Sequence, residues 1–367
     1  MKQLSLSLLS LFFLSGCTQA PLGGIFDLIV IQATGPSCQY QVGPASVQTL
    51  ENLSELKGLL GQVVSHPEDL ESNADILDLG LGFRPMDLRM SGSGNTYGPL
   101  DKSTLLGFSL YYSIEKAHFL FKTLDPSADL TQIVPNMKGT LIVENAKLKH
   151  LQEASKNYTD NAAYLQVEGS LGDRDYFLHF PNETISAIPL GLNPGVLAHE
   201  YSHMVTQYLF HNRRSQSAKE LDTRSENILD FFEEGLADYF GFLASQDPSF
   251  FHCSFPGGTD RDLSHPKTFT SQQADALRTG LDFDSHEGGA VWASVQYQIG
   301  QRVGHEANAR SLIRFLSNLA SCTGLSSSRT QVTVNAINNC HIQALGTLAS
   351  PQIQQIYQSA FGVVGGN

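Results

Sequence analysis

Positive charge is scarce in this chain. Across 367 residues, 23 Lys and Arg stand against 36 Asp and Glu, a formal net charge of −13. An acidic chain with a pI near 5.3 has no basic footprint for a phosphate backbone, so no nucleic-acid partner is expected. Charged residues of both signs make up only 16% against 41% hydrophobic ones, which excludes a disordered chain and calls for a buried core. Beyond the first residues no apolar run reaches the roughly 20 positions that a membrane helix needs. Internal repeats and low-complexity domains are missing too, which excludes a solenoid. The five cysteines include no CxxC pattern, so a cysteine-based metal site is not expected. What is left is a folded body, either one large two-lobed domain or two domains sharing a cleft.

The N-terminus carries an address. Lys2 precedes the apolar stretch Leu4–Leu14, too short to span a bilayer but the right length for a signal-peptide core. The stretch ends in Leu14-Ser15-Gly16-Cys17, which resembles the bacterial lipobox. That resemblance implies a lipoprotein signal over residues 1–16, cut before Cys17, whose thiol then carries diacylglycerol. Residues 17–24 would be a tether, and the mature protein would sit in the cell envelope, periplasmic or surface-exposed, with the membrane as a partner through its lipid. The other four cysteines, Cys38, Cys253, Cys322 and Cys340, are an even set suited to disulfides in an oxidising compartment. Four cysteines allow three connectivities. Cys322 with Cys340 is the favoured pair because it closes a short Ser/Thr-rich segment.

Hydrophobic spacing divides the remainder. Ile25–Ile31 reads as a strand, and Val47–Val64 as a helix from its leucines at three- and four-residue spacing. Residues 91–99, dense in Gly and Ser, read as a loop. Thr104–Leu124 reads as an amphipathic helix, while Gly139–Val143 and Tyr176–Phe180 read as strands. From Pro194 onward helical patterns dominate, with loops around residues 211–222, 252–270 and 322–330. The expectation is an α+β fold with a strand-rich lobe over residues 25–190 and a helical lobe over residues 191–367.

The chemistry concentrates in two helical motifs. In His199-Glu200-Tyr201-Ser202-His203 the imidazoles are four residues apart, so one helix face offers both to a single cation. Glu200, beside the first of them, is placed to take a proton from water rather than to ligate the metal. Phe231-Phe232-Glu233-Glu234-Gly235-Leu236-Ala237-Asp238 adds carboxylates to a helix whose large apolar residues will bury it, and buried acids need partners. Zinc suits two neutral imidazoles and one carboxylate with a position left open. Glu234 can be that third ligand, with Glu233 the other choice, and Asp238 can fix a histidine's tautomer.

Together these motifs resemble those of the gluzincin metallopeptidases, in particular the thermolysin and fungalysin families. The resemblance implies zinc held by His199, His203 and Glu234, Glu200 as general base, and Asp238 behind the first histidine. Glu233 stands where those enzymes often have Asn, so the partner of the second histidine is open. The spacer between the motifs is longer than is usual in thermolysin, and the extra length falls in the polar segment 211–222. Residues 160–164, Asp-Asn-Ala-Ala-Tyr, resemble the strand that pairs with substrate backbone, which makes Asn161 and Ala162 candidate substrate contacts. Ser285–Ala293 resembles the segment whose histidine, here His286, hydrogen-bonds the oxyanion. The catalytic tyrosine of the family has no counterpart, Tyr208 being too close to the zinc helix. Calcium is common in such enzymes, but no segment here forms a calcium loop clean enough to assign.

The resemblance thus implies a two-lobed, thermolysin-like fold with zinc in the cleft, and a peptidase acting on protein or peptide substrates. The rival expectation is a non-catalytic surface lipoprotein that keeps the fold for binding or adhesion.

Overall fold

The computed structural model describes residues 24–35, 38–65, 83–144, 161–167, 174–180, 188–215, 221–255, 261–280, 283–327 and 331–362. The signal reading of residues 1–16 and the lipid-bearing Cys17 therefore lie outside the described residues.

Burial alternates at the start of β1 (Phe26–Gly35), with Phe26, Leu28 and Val30 inside and Asp27 and Ile29 half-buried, the period-two signature of a strand with one face on a core. It forms an antiparallel pair with β2 (Gln39–Val47). The next strands are short: β3 (Leu50–Asn52), β4 (Lys57–Gly58), β5 (Gly61–Ser65) and β6 (Arg84–Pro85). A hairpin of β7 (Met90–Ser93) and β8 (Thr96–Pro99) follows. Later come β9 (Leu141–Val143), β10 (Asn161–Val167) and β11 (Arg174–Phe180). One sheet runs β2-β1-β8-β7, and the other β10-β11-β9-β5-β4-β3 with β6 beside β5. No strand of the described residues lies beyond Phe180.

Two expectations fail here. Val47–Val64 is not a helix but the end of β2, three short strands and a 3-10 turn at Leu53–Glu55. Leu50, Leu53, Leu56 and Leu60 are buried as their spacing implied while Leu59 is exposed, and tight turns set that spacing. Leu56 takes the left-handed conformation at φ 44°, as does Gly61 at φ 114°, and neither continues a right-handed helix. Residues 91–99 are not a loop but the β7–β8 hairpin, turned by Gly94 at φ 62° and Asn95. A Gly-Asn pair between two runs is itself a hairpin signal, and the glycine density obscured it.

Helices cover the sheets and form the C-terminal part: α1 (Lys102–Leu124), α2 (Leu130–Ile133), α3 (Pro194–Leu209), α4 (Thr223–Ser245), α5 (Ser271–Thr279), α6 (Ser285–Val303), α7 (His305–Thr323), α8 (Val334–Leu345) and α9 (Pro351–Phe361). The fold is mixed α+β, strand-rich first and helical later. Among the described residues no helix is long and apolar enough to cross a membrane.

Helix α3 sits at the junction of the two parts. Tyr201 stacks on Phe177 of β11 with centroids 5.9 Å apart and lies 5.7 Å from Phe121 of α1, which in turn meets Phe240 of α4 at 4.4 Å. The Tyr201 hydroxyl is also 3.0 Å from His118 Nδ1 on α1. One buried aromatic cluster thus clamps α3 between sheet and helices. Two disulfides close the chain, Cys38–Cys253 and Cys322–Cys340.

Candidate metal centre

Local sequence sets the helices that carry the centre. Helix α3 starts where the Asn193 side chain accepts from Gly195 N at 3.0 Å and Pro194 fills the first helical position, a strong N-terminal signal. Asp222 caps α4 by accepting from Ser225 N at 2.7 Å. Asp284 caps α6 by accepting from His286 N at 2.9 Å, so His286 stands in the first helical turn.

Helices α3 and α4 bring His199, His203 and Glu234 together, with one ligand atom from each all within 4.8 Å of one another. His199 Nε2 and His203 Nε2 are 3.2 Å apart. Glu234 places Oε2 3.3 Å from His199 Nε2 and Oε1 3.8 Å from His203 Nε2. The opposite ring nitrogens are committed. His203 Nδ1 lies 3.0 Å from Glu233 Oε1. His199 Nδ1 lies 2.9 Å from Asp238 Oδ1, in ion-pair range though not aligned as a hydrogen bond. A ring nitrogen facing a carboxylate carries the proton, which leaves each Nε2 as a lone pair. Two lone pairs and a carboxylate crowded at 3.2–3.8 Å repel unless a positive charge lies among them.

A tetrahedral zinc with nitrogens at about 2.0–2.1 Å would hold them about 3.3–3.4 Å apart, close to the spacing observed. Glu234 Oε2 is buried with no hydrogen-bond donor, as a ligand oxygen without its ion would be. The donor set therefore fits zinc.

Electrostatics show the same demand for positive charge, which a second proton on an imidazole meets when no metal does. Burial disfavours charged imidazoles, but the carboxylates outweigh it: Asp238 and Glu234 raise His199, and Glu234 with Glu233 pushes His203 up to about 10. Burial likewise resists the charged acids, yet His211 and His203 hold Glu233 down to about 2. The histidines keep Glu234 low, and Arg261 with His199 keeps Asp238 low. Four carboxylates, Glu200, Glu233, Glu234 and Asp238, share the pocket, and a cation there would be strongly attracted.

Glu200 is 8% exposed, and its Oε2 accepts the backbone N–H of Tyr164 at 2.9 Å. Among the described residues Tyr164 lies in β10, the outer strand of its sheet, so its amide and that of Ala162, two residues back, point away from β11. Asn161 is in the same strand, paired with Phe180. His286 has a half-exposed side chain, with Nε2 3.5 Å from Glu234 Oε2.

Sequence reasoning missed several residues. Arg261 donates from Nε to Asp238 Oδ2 at 3.0 Å and from Nη2 to Oδ1, while its guanidinium lies 3.7 Å above the Phe251 ring. His211, at the start of the polar segment 211–222, places Nε2 2.8 Å from Glu233 Oε2. Tyr208 points away from catalytic use, since its hydroxyl donates to Asp175 Oδ2 at 2.9 Å and accepts from Gln166 Nε2 at 3.0 Å. Asp175 also accepts from the Tyr164 hydroxyl at 2.6 Å, so this buried acid ties the outer strand to α3.

In comparisons with known proteins, no family model matches the chain and no curated protein matches it either.

Proposed function

We propose that the chain is a zinc-dependent endopeptidase of the gluzincin kind, with a thermolysin-like two-lobed fold and a lipid on Cys17 that holds it in a bacterial cell envelope. The observation that carries this reading is the pair of imidazoles whose Nε2 atoms meet at 3.2 Å beside Glu234 while Glu233 and Asp238 hold the far nitrogens. Their third neighbour, Glu200, is hydrogen-bonded to the outer strand of a sheet.

Bound among His199, His203 and Glu234, zinc would supply Lewis acidity toward a water and the scissile carbonyl. Glu200 takes the water's proton and returns it to the leaving amine. A peptide adds as a strand along the outer edge of β10 and meets the backbone at Asn161 and Ala162. Because Tyr164 N–H holds the Glu200 carboxylate, the base keeps a fixed register with that edge. His286, half-exposed beside Glu234, donates to the oxyanion as it develops. Substrates are proteins or peptides, and the lipid is supported by the Leu14–Cys17 quartet alone.

Metal analysis and a proteolysis assay test the reading. The purified mature chain should hold about one zinc, hydrolyse an unfolded protein substrate, and stop when a chelator removes the metal. His199→Ala and Glu234→Ala should lose both metal and activity. A fully metallated chain that cleaves nothing would make this a binding protein. Cys17→Ser should release the protein from the membrane fraction, and continued partitioning there would end the lipid anchor.

A further inference from the structure

The last two helices enclose a groove that shares no residue with the metal centre. Helix α8 lines it with Asn335, Asn338 and Asn339, and α9 with Gln354, Tyr357, Gln358 and Phe361, around a volume of about 560 Å³. On each helix the spacing runs i, i+3, i+4, which sets every member on one face. The volume is in the range of small-molecule sites, about 300–1,000 Å³.

Among the described residues, none that lines this groove is charged. A charged ligand would therefore meet no counter-charge there, which favours a neutral one. What the groove offers is a set of carboxamides, each with an N–H₂ donor and a C=O acceptor. A hydroxyl also both donates and accepts, so facing carboxamides fit a ligand bearing hydroxyls on neighbouring carbons.

The Tyr357 hydroxyl is turned inward, accepting from Gln296 Nε2 at 2.9 Å and lying 2.6 Å from His341 Nδ1, so its ring rather than its hydroxyl faces the groove. Asn338 is the decisive residue. It is 4% exposed, and its Oδ1 is buried without a hydrogen-bond partner. Folding rarely leaves such an acceptor unmet, and a ligand O–H reaching the bottom of the groove would meet it.

We propose that this groove binds a neutral, polyhydroxylated ligand, a short saccharide, through the carboxamides of α8 and α9. A peptide fits less well, since the groove presents neither an open strand edge nor a charge for a chain terminus. The inference is independent of the peptidase reading.

Calorimetric titration of the purified mature chain with maltotriose, cellotriose, chitotriose and xylotriose, and with a capped tri-alanine peptide, tests it. At least one saccharide should bind saturably with a Kd on the order of 1 mM or tighter. The exposed double substitution Gln354→Ala/Gln358→Ala should weaken it at least tenfold with thermal stability unchanged, and Asn338→Leu should do the same. Absence of saccharide binding across the panel overturns the proposal, as does binding of the peptide alone. Saccharide affinity unchanged in the double variant would put the sugar elsewhere and overturn it equally.

Discussion

The proposed mechanism separates two kinds of acid within one centre, those that would hold the cation and Glu200, which would move a proton. Its carboxylate accepts from Tyr164 N, and a Gln amide oxygen could keep that bond while losing the ability to take a proton. Glu200→Gln should therefore keep metal content and thermal stability near wild type while turnover falls by about two or more orders of magnitude. Activity within a few-fold of wild type would remove Glu200 from the chemistry, and metal loss would make it a ligand. His211 offers a different test. It shares Glu233 with His203, so His211→Ala leaves one oxygen of a buried acid unpaired and loosens the carboxylate that orients a ligand. Metal affinity should fall about 10- to 100-fold, read by competition with a chromophoric chelator. Unchanged affinity would show that Glu233 positions His203 unaided. The pair His199 and His203 was legible in the sequence because helical spacing fixes which side chains share a face, while Glu234 followed from the need for a third ligand and from the resemblance, with Glu233 the other choice. Arg261 and His211 were not legible, because each reaches the centre from outside the motif helices and only tertiary folding makes those contacts.

The two motif helices keep their places through a third, and glycine sets how closely it packs. A Cβ on Gly235 of α4 would lie 2.5 Å from Gly289 O, and one on Gly289 of α6 would lie 2.7 Å from Glu234 Cβ and 2.8 Å from Gly235 N. The helices therefore cross nearly backbone to backbone beside a ligand, with His286 on the same α6 turn. Gly289→Ala must push α6 away from α4, because the atoms it meets belong to backbone and to a short, fixed stem. Overpacking of this kind costs about 1–3 kcal/mol, so melting temperature and metal affinity should fall together. Gly43→Ala is the control, since its Cβ would meet only Gln32 Nε2 at 3.8 Å. Equal effects from both substitutions would refute a special role for the crossing. Elements were legible where one period ran long enough, as in α1 and β1. They were lost at Val47–Val64, where residues held at left-handed φ reset the chain direction every few positions. Apolar spacing reports the burial of Leu50, Leu53, Leu56 and Leu60 there, though not the exposure of Leu59, and cannot report which turn produces it.

At the scale of the whole molecule, buried histidines set the response to acid. His118, His179 and His341 are each at most 2% exposed and lie in α1, β11 and α8. Burial pulls them below the usual imidazole value, His118 and His179 to about 4 and His341 to about 3. Each also has a partner, the Tyr201 hydroxyl for His118, Glu144 O for His179, and Ser311 Oγ with the Tyr357 hydroxyl for His341. An unfolded histidine takes its proton near pH 6.5, so between that value and about pH 4 the unfolded chain binds more protons than the folded one. Stability is then fully present above about pH 6.5 and drains away as pH falls, by up to about 1.4 kcal/mol per pH unit for each site. Loss of the proposed metal on acidification would add to this, so wild type alone cannot isolate the effect. His341→Gln can, because the metal centre is common to both proteins and His341 shares no contact with it. The variant should be less stable than wild type at pH 7, having lost its fit to Ser311 and Tyr357. The gap should narrow steadily as pH falls from about 6.5 toward 4, since the substituted chain has one fewer proton to take up on unfolding. Urea titrations at half-unit pH steps read this directly, and parallel stability curves for the two proteins would show that His341 titrates alike in both states.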